Sequence, residues 1–292
     1  MDDNFLLNFL TYLSQLPAWS RIAFVLLCLG VAWGAERGWP LFKLRYDSWW
    51  IHARTNLALL LTTIIIGLAF ATSVVGLIDW SAQHQIGLLH WLQLPLWAEL
   101  IIALLVLDFV AQYCVHVLLH KVRWMWRLHL VHHSDNKVDV TTGTRHHPGD
   151  YLFREIFALL AIAVLGLPLA FYLLYRFITI PFTYFIHANL RLPKILDQWL
   201  SWVFVTPDMH KFHHHNELPW TDSNYGGILS IWDRLFGTFT YADVNAIRYG
   251  INVLDDEVSD RLGYQLALPF RRDIKSNAEF QRDAERAVHA GI

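Results

Sequence analysis

Cysteine is nearly absent. Only Cys28 and Cys114 occur in 292 residues, and both fall inside apolar runs, so neither a disulfide framework nor a C-x-x-C metal site is expected. Charge is scarce too. Asp, Glu, Lys and Arg make up 16% of the chain, against about a quarter in soluble domains. With a net charge of −2 and no Lys/Arg-rich block, nothing points to a nucleic-acid partner. No P-loop and no G-x-G-x-x-G opening a strand–helix unit is present, which leaves no evident nucleotide or flavin site. The zinc hydrolase signature H-E-x-x-H is missing as well. The chain begins MDDNF, acidic where a cleaved signal peptide is basic, so the first apolar run is expected to remain as an anchor.

What is present is hydrophobicity, at 55% of residues, gathered into long runs. Runs of this length are a membrane signature rather than that of a rich core. Spans are expected at about 19–35, 57–78 and 96–119. An apolar hairpin is expected over 152–187, broken near Gly166-Leu167-Pro168, with Pro181 kinking its second arm. Residues 1–18 read as an interfacial lead, 36–56 and 79–96 as connections, and 194–205 as an amphipathic interfacial helix. Lys and Arg in 36–56 and 121–150 put both segments on the cytoplasmic side and the N-terminus outside. The expected fold class is an all-α integral membrane protein with four to five transmembrane helices or half-helices and a cytoplasmic helical cap.

Histidine is the other abundance, with sixteen in the chain. His116 and His120 stand four apart at the end of the third span. His129, His132 and His133 form an HxxHH pattern, which returns at His210, His213 and His214. An i, i+4 pair puts two imidazoles on one helical face. In HxxHH the adjacent pair diverges slightly, so one triplet can serve two neighbouring metals. With His187, delivered to the same face by the returning hairpin, nine nitrogen donors are available. A tetrahedral zinc takes four ligands, so nine suit two ions. Thiolate-free imidazole sets suit iron, copper, nickel or zinc, of which zinc offers no redox chemistry. Asp108 and Gln112 continue the His116 and His120 stripe into the span, where an ionisable group is a functional candidate. His84 and His90 belong to no cluster and read as surface residues. His147-Pro148-Gly149-Asp150 is close to the HPGG haem-ligand motif of cytochrome b5-type domains, but the last Gly and the surrounding acidic domain are missing.

Six stretches then resemble the fatty acid hydroxylase/sterol desaturase superfamily of membrane di-iron enzymes: DFVAQYCVHVLLH from Asp108, WRLHLVHHS from Trp126, DVTTGTRHHP from Asp139, HAN from His187, TPDMHKFHH from Thr206 and NYGGILSIWDRLFGT from Asn224. The resemblance covers roughly residues 100–240. It implies two irons held by the histidine boxes, dioxygen as co-substrate, and hydroxylation or desaturation of an unactivated C–H bond of a lipid. Sterol, fatty acyl, carotenoid and ether lipids are all compatible. Electrons are expected from a separate reductase or a ferredoxin- or cytochrome-type donor. Carried over by position, His116, His120, His129, His132, His133, His210, His213 and His214 match the boxes. His187 matches a further ligand. His147 matches the histidine of an RxHP motif, as ligand or neighbour. Asp108 matches an acidic position expected to accept a hydrogen bond from a ligand imidazole. Asp233 is expected to do the same or to pair with Arg234; His146 and His215 are expected to be no ligands. Asp150 departs from the Glu often found after HPx, and the HxxxH first box, with no fused cytochrome b5 domain, points to the sterol desaturase-like branch. The expected organisation is a membrane anchor over 1–95, a catalytic domain over 96–240 and a soluble tail over 241–292, charged and helical over 271–292. The competing expectation is a membrane metal-binding or transport protein without redox catalysis. That needs ligands deep within several spans, and here only the third has them.

Overall fold

Proline marks where many of the helices begin, because its fixed φ suits the residue at a helix entry and its missing N–H is no loss there. In the computed structural model, residues 3–217, 220–251, 254 and 258–271 are described. Helix α1 (Asp3–Ser14) leads through Pro17 to α2 (Ala18–Gly38). Ser48 caps α3 (Trp49–His84), accepting from the Ile51 N–H at 3.4 Å. A short α4 (Leu88–Leu92) leads through Pro95 to α5 (Leu96–Asp108). A π-helical segment, Phe109–Cys114, joins α5 to α6 (Val115–Lys121) without a break. Then come α7 (Arg123–His133), a 3-10 turn (Val140–Thr144), α8 (Pro148–Leu165) and α9 (Leu169–His187). The cap is completed by α10 (Lys194–Leu200), α11 (Pro207–His213), α12 (Ile231–Leu235) and α13 (Leu262–Ala267). Among the described residues no strand forms beyond two isolated bridges, Pro40–Leu190 and Phe204–Leu229.

Four stretches are long and apolar enough to cross a membrane: Trp19–Gly38, Trp49–Leu92, Leu96–Lys121 and Leu169–His187. The protein is therefore a multi-pass, all-helical membrane protein. Helices α8 and α9 form the expected hairpin, turned at Gly166 with φ +63. The second arm continues as helix through Pro181 to His187. Two expectations change. The lead is a helix whose Leu6, Leu10 and Leu13, at i, i+4 and i+7, are buried, the first two in the core with Leu107 and Phe171. The second span is longer at both ends than 57–78. At 36 residues α3 is ~54 Å long by its rise, well beyond ~30 Å of hydrocarbon. It continues because His52, Ala53, Thr55 and Asn56 have a buried partner surface waiting for them above the membrane.

That surface is the cap. The C-terminal ends of α2, α6 and α9 and the N-terminal ends of α3 and α8 converge, and α7, the 3-10 turn and α11 pack across them. Arg145 is buried at the centre. Its guanidinium donates to the Val131 carbonyl (3.1 Å), Asn56 Oδ1 (2.9 Å), Ser134 Oγ (3.2 Å) and the Ser259 carbonyl (2.7 Å). One side chain thus ties α3, α7 and the later chain together. Residues Ile251 and Leu268 are buried against Leu59, Trp126 and Leu130, so the chain beyond 240 belongs in part to the cap. From 272 on, the charged tail expected over 271–292 lies outside the described residues.

Arg145→Met removes a buried charge and the donor that four oxygens share; Val131 keeps the Ser134 hydroxyl and Ser259 keeps Gln265, whereas Asn56 Oδ1 loses its partner. The expected loss is about 3–5 kcal/mol, read as a fall in the midpoint of thermal unfolding in detergent, with Arg145→Lys losing less. An unchanged midpoint contradicts the role given to Arg145.

Candidate metal centre

Nine histidines reach one chamber in the cap from four directions: α6, α7, the end of α9, and α11 with the residue after it. They divide into two groups. In each, one ligand atom per residue lies within 4.8 Å of all the others: His116, His120, His129, His133 and His213 in the first, His132, His187, His210 and His214 in the second. The HxxHH spacing accounts for the division. The rings of His132 and His133 stand at 86° to one another, and those of His213 and His214 at 88°. Each adjacent pair therefore contributes one ring to each group. The groups share a wall, with His133 stacked on His214 at 4.7 Å and His210 on His213 at 5.1 Å.

The orientation of the rings is set from behind. The Nδ1 of His116 donates to the Tyr225 carbonyl (2.8 Å), that of His187 to the Thr183 carbonyl (2.7 Å) and that of His213 to the Ser223 carbonyl (2.7 Å). His129 Nδ1 donates to Asp150 Oδ2 (2.8 Å) and His120 Nδ1 to Asp222 Oδ1 (3.2 Å). A proton fixed on Nδ1 leaves the Nε2 lone pair pointing inward. Inward, Nε2 meets Nε2: His116 with His129 at 3.0 Å, His133 with His213 at 3.1 Å, His132 with His187 at 3.1 Å and His187 with His210 at 2.9 Å. Two metal–imidazole bonds of about 2.1 Å set at a right angle hold their nitrogens about 3 Å apart. Among the described residues, neither nitrogen of His214 nor the Nε2 of His120 has a hydrogen-bond partner, although all three atoms are buried. Orphaned lone pairs converging at that spacing fit a pair of metal ions.

Burial also fixes the protonation state. It pushes His129 down to about 3, against the upward pull of Asp150. His132, His133, His210, His213 and His214 are held well below the usual imidazole range by burial first and by one another second. Asp222 is held down at about 2: burial works against it, and its contacts with His120 and Lys121 outweigh burial. The chamber thus presents neutral imidazoles backed by carboxylates and carbonyls.

Three residues do not stand where the sequence put them. Asp108 accepts from the Leu229 N–H (3.2 Å) and Trp232 Nε1 (2.8 Å), not from an imidazole. It fastens the Asn224–Thr238 segment to the membrane helix, because the π-helical segment that follows it turns it away from the Gln112 face. Asp233 binds no imidazole either. It accepts from the Tyr225 and Gly226 N–H groups and from Thr238 Oγ1, which shapes the loop that offers the Tyr225 carbonyl to His116. A Cβ at Gly226 would meet the Leu229 carbonyl at 2.6 Å, so this fold of the loop requires glycine. His147 lies outside both groups: it is the cap of α8, its Nδ1 accepting from the Gly149 N–H at 3.0 Å and its Nε2 3.3 Å from the Leu266 carbonyl. His146 is closer, stacked on His132 at 4.5 Å and bonded to Asp150 at 3.1 Å. Asp150, noticed in the sequence only as a departure, takes the role expected of Asp108. It stands four residues after His146, on the first turn of α8. Asp222 is 102 residues from His120, and no local pattern announces it. Lys211, between two box histidines, is fully buried and donates to the His187 carbonyl.

Below the chamber lies a cavity of about 560 Å³ that runs along α3 from Leu60 to Val75 and along α9 from Leu169 to Tyr184. A smaller space of about 50 Å³ touches His116, His132, His187 and His210. The two share Gln112, His146, Arg154, Thr179 and Thr183 as common walls.

Fold and site together define a membrane protein whose paired histidine groups stand at the end of a largely apolar cavity. Residues 100–238 match the fatty acid hydroxylase family. The chain is 32% identical over 147 residues to ornithine lipid hydroxylase OlsE of Rhizobium tropici, covering 50% of this chain and 43% of that protein. It is 33% identical over 144 residues to the alkylglycerol monooxygenase of Xenopus tropicalis, covering 48% and 30%. It is 30% identical over 170 residues to fatty acid hydroxylase vlmA of a Lecanicillium species, covering 54% and 46%. The matches span less than half the length of each of these relatives. No solved structure matches the chain.

The buried imidazoles also predict a pH dependence. An unfolded chain titrates its histidines near 6.5, whereas the folded His129 titrates near 3. Between these values the unfolded state binds more protons, so stability falls as pH drops below about 6.5. The unfolding midpoint of chelator-treated protein is expected to decrease steadily from pH 7.5 to 5. A flat or rising profile rejects the neutral chamber.

Proposed function

We propose that the protein is an O2-dependent hydroxylase of a membrane lipid, in which each histidine group holds one iron. The observation that carries this reading is the convergence of nine neutral imidazoles, in groups of five and four, beside a largely apolar cavity of lipid dimensions. A resident pair of irons supplies the redox chemistry that activates dioxygen against an unactivated C–H bond. The protein supplies the rest. His116, His120, His129, His133 and His213 form one site, and His132, His187, His210 and His214 the other. Asp150, Asp222 and the carbonyls of Thr183, Ser223 and Tyr225 keep the rings aimed. The cavity walls deliver an alkyl chain to the chamber, and burial keeps bulk water from it. Hydroxylation is favoured over desaturation because the relatives are named hydroxylases and monooxygenases.

Electrons come from a reductase or a ferredoxin- or cytochrome-type protein that docks on the cap. The basic segments around the histidine boxes support a cytoplasmic cap. A transport reading is not favoured. The histidines gather at one end of the spans, where a conducting path needs ligands in series across them.

Metal analysis with spectroscopy for coupled iron tests the proposal. Two irons per chain are expected, with His213→Ala emptying the first group and His210→Ala the second. Stoichiometric zinc from iron-replete cells, with no turnover after iron reconstitution, sinks the redox reading. Asp150→Asn replaces the charged acceptor behind His129 with a neutral amide. It is expected to weaken metal affinity about 10–100-fold, measured by competition with a chelator. Unchanged affinity assigns Asp150 to structure alone.

A further inference from the structure

The cavity is not uniformly apolar. Part-way along it, α8 and α9 face one another with Tyr151, Glu155, Tyr172 and Arg176, all four lining the space. Arg176 Nη1 pairs with Glu155 Oε1 at 3.1 Å, and its Nη2 donates to the Tyr151 hydroxyl. The Tyr172 hydroxyl donates to Glu155 Oε2 at 3.5 Å. Arg176 also lies near the faces of both tyrosines, 5.9 and 6.0 Å from the ring centres. It stands in a membrane-spanning helix, eleven residues before His187, which is ~16 Å along the axis. An ionisable group at that depth is costly, and where it faces a cavity it marks a pathway or a ligand.

A purely structural ion pair would shut both partners away. Here the two are unequal. The Glu155 side chain is 2% exposed, and that of Arg176 is 29% exposed. Glu155 and the Tyr151 hydroxyl engage two of the five N–H donors of the guanidinium among the described residues. The open donors therefore face the space that the substrate occupies if the reading above holds. Glu155 balances the charge of Arg176 itself. An uncharged oxygen, a carbonyl or a hydroxyl, completes the cluster without adding charge.

We infer that Arg176, held by Glu155 and flanked by Tyr151 and Tyr172, is a selectivity site that binds a neutral polar oxygen of the lipid within the cavity. It fixes how far along the chain from that oxygen the oxidised carbon lies. Glu155 is five residues beyond Asp150, the carboxylate behind His129, which sets the two sites ~8 Å apart along α8. A chain lacking such an oxygen enters the same apolar walls but is held at no fixed register.

Binding tests this apart from turnover. The full-length protein, as purified in nanodiscs and kept under nitrogen, is titrated with tritiated 1-monohexadecanoylglycerol and with tritiated hexadecane. The wild type is expected to prefer the ester by about tenfold, the size of one charge-assisted hydrogen bond. The double variant Arg176→Met with Glu155→Leu removes both charges together, since removing one alone strands the other. It is expected to bind hexadecane within about twofold of wild type and to lose the preference for the ester. Equal binding of the probes by wild type, no binding of either, or a preference kept by the double variant overturns the inference. Because oxygen is excluded, a failure of the iron reading leaves this preference in place, and a loss of preference leaves the iron count untouched.

Discussion

Nine imidazoles share one buried chamber only because each is neutral, and neutrality leaves every ring with one proton to place. Five of the nine place it outward, on an oxygen that the surrounding chain provides. The rest of the architecture follows from supplying those oxygens. The Asn224–Thr238 loop exists in its glycine-bearing form to bring the Tyr225 carbonyl to His116. Helix α8 begins where it does so that Asp150, in its first turn, backs His129. Charged imidazoles packed this closely would repel, and protons on Nε2 would collide at 3 Å. The chamber is thus a hydrogen-bonding problem solved from behind before any metal is considered.

The same chamber explains why the membrane helices stop where they do. Five helix ends meet beneath it, and each gives it either a ligand or a support: α6 and α9 bring His116, His120 and His187, α8 brings Asp150 to His129, α3 brings Asn56 to Arg145, and α2 brings Glu36, whose carboxylate accepts from the Val140 and Asn189 N–H groups at 2.9 and 3.0 Å. Apolar burial holds the helices together lower down. At the cap the contacts are polar and specific, which suits a site that needs rings aimed to within a fraction of an ångström.

Much of this was legible in the sequence. Apolar runs gave the spans, and the repeated HxxHH gave both the ligand candidates and their division between two groups. That is local information: a helical period turns spacing into direction. The supporting residues were harder. Asp108 looked like a partner for a ligand because it continues the histidine stripe, but a π-helical segment changes the angle per residue and breaks the stripe. His52, fully buried with its Nδ1 3.0 Å from Asp260, sits in a stretch that reads as a loop. Asp222 meets His120 across 102 residues. Pairings of this kind arise from how the chain returns to itself, and nothing in the neighbouring residues encodes them.

The uninterrupted course of α3 has a mechanical meaning. One rod runs from the far end of the bundle into the polar network of the cap, with no hinge glycine or proline that would let its halves move independently: Gly67 and Gly76 both lie within continuous helix. The height of the histidine chamber above the hydrocarbon is therefore a fixed length of the protein rather than a property of the lipid around it. In a thicker or thinner bilayer the molecule answers by tilting as a body. The tilt moves the cavity relative to the lipid chains while the spacing between cavity and chamber stays constant.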